Sequence, residues 1–318
     1  MHRLVQDVAR TTTTCELCAV SAARAVALVD RVLPDRPWEH EQWPMCMRLL
    51  EHATSAARHA DRHDTARGQT AHVLGRVGQY QQARAAYATA RELLQRALAI
   101  FEAVYGPEHP AVASTLTNLG IVQEQLGEFE AARVTQQRAL AIKEAVYGPE
   151  HPEVASTLGN LGIVQEQLGE FEAARVTLQR ALAIKEAVYG PEHPAVAITL
   201  GNLGNVQRQL GEFEAARVTL QRALAIKEAV YGPEHPEVAS TLGNLGILQQ
   251  QLGELGAARK DVGRALAMFE HFLGLDHPTT RHARAHLASM GAAKQTGQDA
   301  VRAPETLSRR WPRLRRGR

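Results

Sequence analysis

One six-residue string organises the whole chain. YGPEHP begins at Tyr105, Tyr147, Tyr189 and Tyr231, each copy 42 residues after the last, and a degraded LGLDHP begins at Leu273. A fixed period of this length describes an array of stacked units, each too small to bury its apolar face except against its neighbours. Within a unit, HPEVASTLGNLGIVQEQLG opens at Pro152, whose fixed φ and missing N–H suit the first position of a helix, and it closes at Gly169, a helix stop. A second apolar-periodic run, EFEAARVTLQRALAIKEAVYG, extends from Glu170 to Gly190 ahead of Pro191. Each unit is therefore a hairpin of two helices, A and B. Leu158, Leu161 and Leu168 form the apolar stripe of helix A, and Gly162 removes bulk so that a partner can approach; Phe171, Ala174, Leu178 and Ala181 answer from helix B.

Leu158, Leu161, Gly162, Gly169, Phe171, Ala174 and Ala181 fall at the spacings of the tetratricopeptide (TPR) signature. With its 42-residue period and GPEHP turns, the chain resembles the longer repeats of kinesin light chains and nephrocystin-like proteins, from about Asp64 to Met290. The resemblance implies an all-α fold, a right-handed α-solenoid of TPR helix pairs with an N-terminal helical linker. Two departures are Gln165, where the signature usually has an aromatic residue, and Gln136, where the following repeats have Leu178 and Leu220. Both predict a wetter helix pair.

The repeats are copied closely, and their few differences are concentrated. Between the second and third full repeats only Glu153/Ala195, Ser156/Ile198, Ile163/Asn205 and Glu166/Arg208 change. Three of those positions lie on the helix A stripe turned away from helix B. In the family this resembles, helix A lines a binding groove, and an Asn on that stripe bonds the main chain of an extended peptide. The resemblance carries that role to Asn118, Asn160, Asn202 and Asn244, whose amides offer both donors and an acceptor. Ile121, Ile163, Ile198 and Ile247 then supply apolar contacts, with Asn205 taking the place of an Ile. Glu124 and Glu166 place negative charge at one end of the face and Arg208 positive charge further on, with the neutral Gln250 at the corresponding position of the last repeat. Drift at exposed positions is the plainer account, since most surface changes are worth under about 0.5 kcal/mol. Against it, the outer face of helix B hardly varies. On the groove reading, Asn160→Ala and Asn202→Ala weaken binding without affecting folding. Arg208→Glu alters partner choice more than stability, and Arg217→Glu on helix B serves as a silent control.

The flanks differ from the array. Residues 64–108 read as an irregular first pair whose B helix, measured from Gly78 to Gly106, is about two turns longer than its counterparts. Thr14 to Leu33 and Trp43 to Ala60 read as linker helices within residues 14–63, four regular repeats occupy 109–276, and 277–298 form a polar capping helix in which Arg284 and His286 replace a Leu and an Asn. Residues 299–318 are a basic tail, SRRWPRLRRGR at its end, that reads as disordered. At the other end MHRLVQDVAR, in residues 1–13, resembles the methionine-histidine-aspartate motif that closes the winged-helix part of NB-ARC (STAND) nucleotide switches, with Arg3 in place of the aspartate. That motif, a WP-containing linker and 42-residue TPRs together resemble bacterial STAND proteins with TPR sensor arms. No GxxxxGK[ST] loop occurs here.

Other chemistries find little to stand on. His109, His151, His193, His235 and His277 stand a full repeat apart, roughly 10 Å on packed helices, which is too far to share a metal bound at about 2 Å. They read as helix-start residues. The three cysteines make no disulfide framework or complete metal site. No nucleophile, base and oxyanion set is present, so neither a catalytic role nor a cofactor is expected. No long apolar run suggests a membrane span, and the expectation is a cytoplasmic bacterial protein, Arg outnumbering Lys 31 to 5 as in GC-rich genomes. The function read from the sequence is a protein–protein interaction module that binds a peptide or protein on the concave TPR face, and the resemblance to STAND proteins implies the sensor arm of such a regulator. The alternatives are a self-assembling repeat scaffold and a binder of nucleic acid or anionic surfaces through the Arg-rich tail.

Overall fold

The computed structural model describes residues 15–296, which form thirteen α-helices and no β-strand. They fall into two compact units divided between Pro149 and Glu150. The first unit contains α1 (Cys15–Val32), a 3-10 turn (His40–Gln42), α2 (Trp43–Arg62), α3 (Arg67–Ala83), α4 (Tyr87–Tyr105), α5 (Pro110–Gln125) and α6 (Phe129–Tyr147). The second contains α7 (Pro152–Gln167), α8 (Phe171–Tyr189), α9 (Pro194–Gln209), α10 (Phe213–Tyr231), α11 (Pro236–Gln251), α12 (Leu255–Leu273) and α13 (Pro278–Thr296). From α3 onward, A and B helices alternate, each packing on the next within its unit. The termini, including the MHRLVQDVAR motif and the basic tail, lie outside the described residues.

Local chemistry sets the helix limits. Each regular A helix has Pro at its first position and the preceding His at its N-cap, with Nδ1 of His109, His151, His193 and His235 accepting the N–H two residues on at 3.1–3.2 Å. The same rings stack on the tyrosines that end the preceding B helices within each unit, Tyr105 on His109, Tyr189 on His193 and Tyr231 on His235. The histidine series is thus a set of caps, satisfying a donor that the first turn leaves without an intrahelical partner. At the A-to-B turn Gly169, Gly211 and Gly253 take φ near +78°, where a Cβ is penalised.

The expected long first B helix is not formed. α4 has 19 residues, like every B helix of the array. Gly78 is not a stop: α3 continues past it to Ala83, and a Cβ there would lie 2.9 Å from Leu94 Cγ, as one on Gly162 would lie 2.6 Å from Leu178 Cγ. The turn is made instead by Ala85, with φ +62°, 42 residues before Gly127. The first pair therefore keeps the register of the array, hidden by an alanine where glycine was the signal.

Each unit has its own apolar interior. In the first, Leu74, Ala97, Phe101, Val112, Leu116 and Ile142 pack together, while Val26, Val29, Leu33, Ala53 and Ala60 join α1 and α2 to Val73 and Val77 of α3. In the second, clusters such as Ala174, Leu178, Leu203 and Val206 recur as Ala216, Leu220, Leu245 and Leu248 one period later. α13 closes that series as a one-sided helix: Ala283 and Met290 enter the core of Val262 and Phe269, while Arg284 turns outward to Glu270 at 2.7 Å. Both glutamines that depart from the signature are buried, each with a side-chain oxygen that has no hydrogen-bond partner among the described residues. Gln136 is fully buried, and its amide donates to Thr117 O at 3.1 Å in the space that Gly120 leaves, and Gln165 is also buried.

Candidate functional site

The A-helix face turned away from helix B is positioned by the same Pro and His caps in every regular repeat. In the first unit its residues remain half-exposed at Asn118, Ile121 and Glu124. In the second unit Asn160, Ile198 and Gln250 are half-exposed, but Ile163, Glu166, Asn202, Asn205, Arg208 and Asn244 are buried. The reason is that α9 touches both α7 and α11, so the stripe doubles as a seam between successive A helices. The plain account of their variation as drift at exposed positions therefore does not apply to Ile163/Asn205 or Glu166/Arg208.

The seam has unusual polar content. Asn205 is only 1% exposed, and neither its amide nitrogen nor its carbonyl oxygen has a hydrogen-bond partner among the described residues, although the repeats on either side place Ile163 and Ile247 there. The Oδ1 atom of Asn244 is likewise buried without a partner. An unmet buried polar group costs about 1–3 kcal/mol, so Asn205 is held at a price in stability. Arg208, 3% exposed, reaches Gln251 Oε1 at 3.3 Å; burial pushes its guanidinium pKa down, and the nearby Glu166 carboxylate opposes that shift. One repeat further on, Gln250 Oε1 meets His286 Nε2 at 2.6 Å, joining α11 to α13. Burial and, secondarily, His282 depress the His286 pKa to about 4.

Three expectations change with this geometry. Arg208→Glu would leave a second buried carboxylate beside Glu166, a change that costs several kcal/mol, so it acts on stability and not mainly on partner choice. Asn202→Ala removes a buried polar side chain and is not neutral to folding. Arg217→Glu, the control for binding, also acts on the fold, because Arg217 lies 2.7 Å from Glu254 and 3.6 Å from Glu214 in surface ion pairs that the reversal would break. The Arg217–Glu254 pair recurs as Arg175 with Glu212, and a second set joins Arg222 to Glu186 and Arg264 to Glu228.

The tetratricopeptide repeat profile matches residues 69–145, 134–187, 168–229 and 209–271, more than half of the chain. The chain belongs to the tetratricopeptide repeat family. Among solved structures, this TPR protein is similar to BtubC (BKLC) from P. vanneervenii, at 23% identity over 84% of this chain and 94% of that one, with a TM-score of 0.56. It is also similar to a candidate kinesin light chain with nearly identical TPR-like repeats from Podosopora anserina, at 21% identity over 62% and 94% of the two chains, TM-score 0.53. The apo form of RapI matches at 14% identity over 93% and 80%, TM-score 0.55. These likenesses show the fold. No curated protein is significantly similar to the chain.

Sequence reasoning missed two features of the TPR surface. Lys185 and Lys227, which look like solvated B-helix residues, reach the next A helix at Thr199 Oγ1 (2.9 Å) and Glu237 O (3.1 Å). Their 42-residue repetition was the available signal. The other is a cleft in the first unit bordered by Asp35, Trp38, His72, Arg76, Ser114 and Asn118, with a volume of about 370 Å³. The non-repeat loop before α2 contributes two of its walls, and no periodicity points to it.

Proposed function

We propose that this TPR protein is a cytoplasmic interaction module that binds an extended peptide segment on its A-helix faces and acts by binding, not by catalysis. Each unit has its own half-exposed amide on this face: Asn118, near Ile121, would bond the main chain of a segment bound to the first unit, and Asn160, in the unit that also holds Ile198, that of a segment bound to the second. The observation that carries this reading is Asn205. A buried amide with two unmet hydrogen-bonding atoms, replaced by Ile in the adjacent repeats, is a feature that packing alone would remove. A ligand main chain offers the N–H and C=O that such an amide lacks, reached when the seam around α9 parts. We further propose, on the first ten residues and the order of elements, that the array serves as the sensor arm of a STAND-type switch; an in-frame P-loop in the DNA upstream of the Met1 codon tests that part.

Selection of octapeptides from a random display library on the full chain tests the binding function. A defined sequence should be enriched, and Asn160→Ala should weaken its binding by about 0.5–1.5 kcal/mol, the net worth of one neutral hydrogen bond. Absence of enrichment, or enrichment insensitive to Asn160→Ala and Asn118→Ala alike, would overturn it.

A further inference from the structure

The cleft of the first unit lies on the A-helix face but has a different chemistry from the rest of it. Arg76 on α3 stands 42 residues before Asn118, so a guanidinium occupies the position that the regular repeats give to a neutral amide. Its side chain is 6% exposed and is held from the non-repeat part of the unit: it pairs with Asp30 and donates to Leu33 O at 2.8 Å, and Asp35 Oδ1 lies 3.5 Å away. Asp30 is bonded a second time, by His72 Nδ1 at 2.8 Å. Asp30 thus answers Arg76 directly, and two carboxylates surround a single guanidinium. The surplus negative charge sits on Asp35, whose side chain is 99% exposed on the rim.

The remaining walls complete the description. Trp38, from the same loop as Asp35, borders the cleft with 47% of its surface exposed, while the lining also includes Leu94 and Phe101, which are buried. An exposed carboxylate and a half-exposed indole at the rim of a cleft with mixed polar and apolar walls are complementary to a side chain with a hydrocarbon stem and a cationic head. Asn118, beside them, is free to take the main chain of the same residue in the way proposed for the regular repeats.

We propose that this cleft is a specificity pocket for a lysine or arginine side chain of the bound segment, with the stem entering the cleft and the cation between Asp35 and Trp38. The inference rests on the peptide-binding reading above and names one residue class that the ligand must carry. Arg76 does not bind the ligand; it fixes the loop that brings Asp35 and Trp38 to the rim.

The test uses the full chain and two small probes, N-acetyl-arginine amide and its neutral isostere N-acetyl-citrulline amide, with the Trp38 indole N–H resonance as the readout. The arginine probe should shift that resonance in a saturable way and bind roughly tenfold more tightly than the citrulline probe, as expected of a cation gripped by a carboxylate and an aromatic face. Asp35→Asn should erase the difference while leaving the melting transition in place, because the carboxylate is in solvent. Trp38→Leu, followed by calorimetry, should weaken the arginine probe in the same proportion. Equal binding of the two probes, no shift at Trp38, or an unchanged preference in both variants would overturn the proposal. If the probes fail while library peptides are still captured through Asn160, only the pocket is wrong; if the probes succeed and no octapeptide is enriched, the broader peptide-binding reading falls and the cation pocket stands.

Discussion

A single alanine sets the turn of the first repeat pair at a cost. Ala85 adopts φ +62°, a conformation that its regular counterparts Gly127, Gly169, Gly211 and Gly253 reach without a Cβ. The left-handed region costs an L-residue roughly 1–2 kcal/mol, partly offset by the greater freedom that glycine has in the unfolded chain. Ala85→Gly should therefore raise the stability of the first unit by about 0.5–1 kcal/mol, read as a higher urea midpoint at unchanged slope. The opposite holds where glycine makes room for a side chain. A Cβ on Gly204 would meet Leu220 Cγ at 2.7 Å, so Gly204→Ala should cost about 1–3 kcal/mol through overpacking. Residue patterns disclosed the second case but not the first, because glycine advertises a tight approach whereas an alanine in a turn looks like any helix former.

Among the elements, α13 shows how a helix can be docked by polar contacts and an apolar edge together. His286 bonds Gln250 of α11 in a buried setting, and its pKa falls from the ordinary 6.5 to about 4. The unfolded chain takes up a proton at this position as pH falls below about 6.5, whereas the folded chain resists until about 4. Its contribution is therefore intact above that window and lost progressively through it, by an amount on the order of 1–3 kcal/mol. Urea titrations at pH 7 and pH 4.5 should show the second unit losing stability, and His286→Asn should flatten the difference. An equal pH dependence in that variant would place the effect elsewhere. Helix limits were the most legible part of the sequence, since Pro, His and Gly punctuate every regular pair. What the period could not disclose was the distance between successive A helices. It assigned Asn202, Asn205 and Arg208 to an open face, and all three are buried in the second unit, where successive A helices touch.

At the scale of the whole molecule, near-identical repeats make the array modular. Residues 193–234 comprise α9 and α10 with their caps, and their removal sets α8 before α11, whose packing residues Leu245 and Leu248 correspond to Leu203 and Val206. That deletion should yield a folded chain two helices shorter, with a cooperative melt and proportionally reduced helical circular dichroism. Collapse of the helical signal would contradict a structure held together by contacts between sequential neighbours. The same deletion removes Asn205 and should remove peptide capture by the second unit while sparing the arginine pocket of the first. The most direct test of the account concerns the asparagine that the fold does not need. Asn205→Ile gives the third repeat the residue of its neighbours, and the account predicts a rise in stability of about 1–3 kcal/mol together with at least roughly tenfold weaker binding of the selected peptide. A variant that is more stable and binds equally well would contradict it.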